Sequence, residues 1–112
     1  METILHFYTD YRQDADIPSQ APQEISKAEF LQKMERVLQE EGNFIGLVDP
    51  EGVTLQFLVN DDRSIRIDIP IPIQKGSYTK TGNLAECQQL VDSLGEEVDY
   101  ESLPDLAFEE WG

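Results

Sequence analysis

The chain has 112 residues, of which 39% are apolar and 28% charged, the composition of a single globular domain with one hydrophobic core. Its 23 Asp and Glu outnumber 8 Lys and Arg, for a net charge of −15. Such a surface argues against nucleic acid and excludes anionic membrane as partners, since both are gripped by Lys and Arg, and no apolar run is long enough to cross a bilayer.

The N-terminal residues show no basic start, no apolar core of signal length and no small-residue cleavage site, so nothing there points to export. A single cysteine, Cys87, cannot close an internal disulfide, and a cytoplasmic location is expected. Residues 4–8, rich in aromatics, read as a first strand. Residues 10–24 are polar, hold Pro18 and Pro22 and have no usable period; they read as a loop. Ser26 with Glu29 has the spacing of a helix N-cap pair, and Ile25 with Phe30 that of a hydrophobic staple. Phe30, Leu31, Met34, Val37 and Leu38 then fall on one helical face, Glu29 and Lys33 form an i,i+4 pair, and Gly42 supplies a stop. A helix over 27–41 follows.

Residues 44–48, 53–59 and 65–73 read as three strands. Asp49-Pro50-Glu51-Gly52 and Asn60-Asp61-Asp62-Arg63 are tight turns, so the three form an antiparallel meander. The five isoleucines from Ile65 to Ile73 alternate with polar residues and prolines. Pro70 and Pro72 lack the donor a ladder needs, which sends the end of that strand to a sheet edge or out of the sheet. A loop with Lys75-Gly76 and Tyr78 leads to a second helix over 84–94, where Asn83 and Glu86 repeat the cap spacing and Leu84, Cys87, Leu90, Val91 and Leu94 make the apolar stripe. The expected fold is α+β: a mostly antiparallel sheet of the three-strand meander plus the N-terminal strand, with two helices on one face.

Residues 96–112 form an acidic and aromatic segment. Residues 81–112 carry nine acids and no base, whereas 1–80 carry 14 acids and all eight bases. Two unit charges about 10 Å apart in water repel by roughly 0.4 kcal/mol, so concentrating them costs stability. A merely solubilising tail has no use for Trp111. Aromatic anchors among steering carboxylates suit a surface that docks a basic protein. The residues expected to bind that partner are Asp99, Tyr100, Glu101, Asp105, Glu109, Glu110 and Trp111, with Asp61 and Asp62 as a second patch.

Catalytic equipment is sparse. His6 lies within an apolar strand, where a packed side chain is the plain reading, and Cys87 lies on a buried stripe. The acidic clusters Asp10, Asp14, Asp16 and Asp61, Asp62 lack the glycine and terminal Glu of a calcium loop, and Gly42 to Gly46 lacks the ending of a phosphate loop. No catalytic residue, metal site or cofactor is expected, and the chain reads as a binding protein rather than an enzyme.

Glu41-Gly42-Asn43-Phe44 leading into Val48-Asp49-Pro50-Glu51-Gly52, then Lys75-Gly76-Ser77-Tyr78, the helix from Leu84 to Leu94, and Phe108-Glu109-Glu110-Trp111 together carry a resemblance. Over residues 26–111 the order resembles the small immunity proteins of bacterial polymorphic toxin systems. The resemblance implies a single immunity-like domain over 1–112 that neutralises a cognate toxin, commonly encoded beside it, by tight binding and without catalysis. A basic nuclease or nucleic-acid deaminase, whose groove must be cationic, is the natural target. The alternatives are a nucleic-acid mimic aimed at a host restriction or defence enzyme, and a small-ligand module, which a deep polar pocket around His6 would favour.

Overall fold

Alternation in the strands and the staggered apolar stripes of the helices are satisfied by one arrangement, a sheet with both helices on the same face. The computed structural model describes residues 2–103 and 105–111. Strands β1 (Thr3–Asp10), β2 (Ala15–Ile17) and β3 (Gln23–Ser26) precede helix α1 (Lys27–Val37). Strands β4 (Phe44–Val48), β5 (Thr54–Val59), β6 (Ile65–Ile71) and β7 (Gly76–Gly82), helix α2 (Leu84–Ser93) and strand β8 (Ala107–Glu110) follow. All pairings are antiparallel, in the order β2-β1-β4-β5-β6-β7-β8, and β3 also pairs with β1. No helix among the described residues is long and apolar enough to cross a membrane.

The α+β architecture is as expected, but the sheet has eight strands rather than four. Residues 10–24 are not simply a loop. They include β2 and enter β3, which lie end to end along the free side of β1, pairing with Tyr8–Asp10 and with Thr3–His6. Backbone pairing with the free side of β1 orders them, with little apolar patterning of their own. The expected loop at Lys75 to Tyr78 is strand β7 from Gly76 onward, and the acidic C-terminal segment contributes β8.

Helix α1 stops at Val37, four residues short of the expected end, although Gln39, Glu40 and Glu41 favour helix. The stop is set from outside: buried Asn43 donates Nδ2–H to the Val37 carbonyl at 3.0 Å and to Asp10 Oδ1 at 2.9 Å. Its own Oδ1 accepts from the Tyr11 N–H at 2.9 Å. One side chain thus caps a helix end and holds the β1–β2 hairpin. Gly42 lies beyond the helix, in the turn from Glu40 to Asn43. The N-terminal caps are as read: Ser26 Oγ accepts from the Glu29 N–H, and Asn83 with Glu86 closes a reciprocal capping box.

The core lies between the helices and the sheet. Phe30, Met34 and Val37 of α1 and Cys87 and Val91 of α2 pack on Ile4, Ile45, Leu47, Leu55, Phe57, Val59, Ile65, Ile67, Ile69 and Ile71. Each such large side chain contributes about 1.5–3 kcal/mol. The isoleucine alternation of β6 ends at Ile71. Pairing with β5 stops at Asp68, two residues before Pro70, and Pro72 opens a short 3-10 turn that leaves Ile73 91% exposed. The opposite face of the sheet carries no helix. Gly46 there lets the Phe7 ring lie against the strand, and Arg66 bridges Asp68 and Glu109.

Candidate functional site

The C-terminal segment is held to the domain at successive points. After α2, buried Leu94 and Val98 anchor it in the core, and the Val98 N–H donates to Asp49 Oδ2 at 2.8 Å. Asp49 is 3% exposed, and its other oxygen accepts from the Glu51 and Val53 N–H groups of the β4–β5 turn. One buried carboxylate therefore clasps that turn to the segment from Val98 onward, using charge-assisted hydrogen bonds to offset its burial. Tyr100 stacks on Tyr78 with ring centroids 5.0 Å apart, and Phe108 meets Tyr78 edge-on at 5.2 Å. These contacts fix the acids instead of leaving them on a free tail.

Exposed Glu51, Glu97, Asp99 and Glu101 line a depression of about 290 Å³ together with Val53 and Tyr100. No base among the described residues shares its wall. Of the residues expected to bind a partner, Asp99, Tyr100 and Glu101 come together here. Asp105 lies in the connector before β8, with φ of 66°. Glu109 and Trp111 fall on the helix-free face of the sheet, and Glu110, one step along β8, falls on the other. Glu109 is partly spent, accepting from Arg66 at 3.3 Å. Trp111 is fixed by its backbone N–H to the Lys75 carbonyl and by Nε1–H to Ser77 Oγ at 3.0 Å, yet stays 50% exposed.

Asp61 and Asp62 lie at the opposite end of the strands, in the β5–β6 turn. They are a separate patch. Hydrogen bonds from the Ser64 hydroxyl and N–H hold the Asp62 carboxyl below its ordinary range, which marks it as a turn-forming carboxylate. Glu51 and Glu97 were absent from the expected set, because only the Asp49 clasp brings their two segments together.

A second site, away from the residues expected to bind a partner, is a cleft of about 540 Å³ between the β1–β2 hairpin and α1, next to His6, where a polar pocket was the feature expected of a small-ligand module. Lys33 does not close the expected pair with Glu29; it turns inward and donates to His6 Nε2 at 2.8 Å. His6 is 1% exposed and donates Nδ1–H to the Gln23 carbonyl at 2.6 Å. A carbonyl can only accept, so the ring is the neutral Nδ1–H tautomer and Nε2 takes the Lys33 proton. The Lys33 ammonium also sits 3.9 Å above the Tyr8 ring centroid. Burial pushes the pKa of His6 down, against the Gln23 hydrogen bond. Burial, then the charge of Arg36, lowers that of Lys33. Arg12 spans the cleft to Glu40 at 3.4 Å. The i,i+3 spacing of Lys33 and Arg36 was the one sequence signal for this cluster. Cys87 joins neither site: burial raises its thiol pKa to about 12, so it is protonated at neutral pH.

No protein-family model, curated protein or solved structure matches this chain.

Proposed function

We propose that this chain is an immunity-type inhibitor that neutralises a basic bacterial toxin, a nuclease or nucleic-acid deaminase, by docking it on the acidic end of the sheet. The supporting observation is the depression whose wall sets Glu51, Glu97, Asp99 and Glu101 together without a base. Carboxylates held by a folded scaffold mimic the spaced charge of a phosphate backbone, and they lose little entropy when a cationic groove closes over them. Tyr100 beside them and Trp111 at the same end of the sheet supply aromatic surface where an anchor is needed. The reading keeps the resemblance to toxin-system immunity proteins but moves the centre of the interface. Glu51 and Glu97 join it, while Asp61 and Asp62 leave it.

The test is titration of the full chain against the basic nuclease or deaminase domain that the resemblance implies is encoded beside it. Stoichiometric loss of toxin activity is expected. Glu97→Lys with Glu101→Lys should slow association by about tenfold or more at low salt and flatten its salt dependence. The same reversal at Asp61 and Asp62 should change the rate by less than about twofold. Reversal at Glu109 should matter less than at Glu101, because Arg66 already pairs with it. Undiminished toxin activity in excess chain overturns the function. Equal slowing by the two reversed pairs overturns the choice of surface.

A further inference from the structure

In a chain of net charge −15, three of the eight bases, Arg12, Lys33 and Arg36, line one cleft. Their commitments differ. Arg12 is paired with Glu40 across the cleft. The Arg36 guanidinium has no hydrogen bond or ion pair among the described residues. Lys33 spends one N–H on His6 and lays its charge over Tyr8, which leaves it with donor capacity and no carboxylate partner. Two adjacent cations on one helix face that form no ion pair among the described residues gain from a negative charge brought between them. Burial lowers the pKa of Lys33, Arg36 adds to the lowering, and Glu29 opposes it.

Two acids share the lining: Asp10 on the hairpin side, held in place by the Arg12 and Gln13 N–H groups and by Asn43 Nδ2, and Glu40 on the α1 side, paired with Arg12. Their carboxylates repel a ligand that is anionic at both ends and accept hydrogen bonds from one that carries hydroxyls. The volume, about 540 Å³, falls within the roughly 300–1,000 Å³ of small-molecule sites. The Lys33 ammonium is pre-positioned, since the Gln23 carbonyl fixes the His6 tautomer and His6 in turn fixes Nζ. Little ordering is left for a ligand to impose.

We propose that this cleft binds a small hydroxylated anion, with a phosphate or carboxylate head on Lys33 and Arg36 and hydroxyl groups toward Asp10 and Glu40. The site is distinct from the acidic docking depression, and it stands or falls independently of the toxin-inhibitor reading.

The probes are glycerol 3-phosphate and glycerate, alike in bearing hydroxyls and unlike in head group, with inorganic phosphate as a head alone. Each is titrated into the full chain while the ring signals of His6, the sole histidine, are followed by NMR. A saturable shift with either hydroxylated anion supports the site, and the stronger of the two assigns the head group. Arg36 is exposed, so Arg36→Gln should leave the fold intact and weaken binding by about tenfold. Lys75→Gln, the same charge change at the far end of the sheet, should alter it less than about twofold. The absence of a saturable shift with both anions overturns the proposal, as does equal weakening by the two variants. Inorganic phosphate binding as tightly as glycerol 3-phosphate overturns the role given to Asp10 and Glu40.

Discussion

Asn43, Asp49 and His6 are buried polar side chains, and each is kept because it joins segments far apart in sequence. Asn43 links β1, the β1–β2 hairpin and the end of α1; Asp49 links the β4–β5 turn to Val98; His6 links β3 through Gln23 to α1 through Lys33. Such groups carry a desolvation cost that only full hydrogen bonding offsets. His6 turns that cost into a pH dependence. Its folded pKa is below 6.5, so between those two values the unfolded chain binds more protons than the native one. Stability should therefore fall as pH drops below about 6.5 toward the folded pKa and be fully present above that window. An NMR titration of the His6 ring should give a midpoint under 6.5, and His6→Gln should flatten the urea midpoint across the same window. A midpoint at or above 6.5 would show that the ring is not held neutral.

At the scale of elements, the least secure is β8, whose four residues are exposed and whose ladder runs only to β7. Its seat depends on Gly76. A Cβ there would stand 2.7 Å from the Glu109 carbonyl oxygen and closer still to the Phe108 ring. Gly76→Ala should cost about 1–3 kcal/mol in urea unfolding and strip amide-exchange protection from Ala107–Glu110 before the rest of the sheet. Gly95→Ala, where a Cβ meets nothing within 4 Å, is the matched control and should be close to neutral. Unchanged protection in Gly76→Ala would mean that β8 is held by Trp111 and not by its ladder. Both β7 and β8 escaped the sequence reading for one reason. Gly-Ser-Tyr-Thr-Lys-Thr-Gly, second from the sheet's edge, and Ala-Phe-Glu-Glu, at the edge, have few apolar side chains to bury, so no apolar alternation marks them. The meander and α2, which face the core, were legible almost to the residue.

For the whole molecule, charge is the governing quantity. Nine acids without a base in residues 81–112, folded against the rest of a negative chain, store repulsion that salt relieves. Raising sodium chloride from about 0.02 to 0.5 M should lift the melting temperature by roughly 4 °C or more, the equivalent of about 1 kcal/mol. A flat or falling Tm in a fluorescence melt would show that local ion pairs such as Arg66–Glu109 outweigh the global field. Composition and periodicity by themselves determined the class, the two helices, the meander and the excess negative charge, because each is set by residues within a few positions of one another. Only the tertiary structure decided where that charge collects, that Lys33 and Arg36 face a cleft beside His6, and that the flanking segments become strands. Those outcomes depend on contacts across tens of residues, such as Asp49 with Val98 and Gly76 with Glu110, which no local pattern encodes.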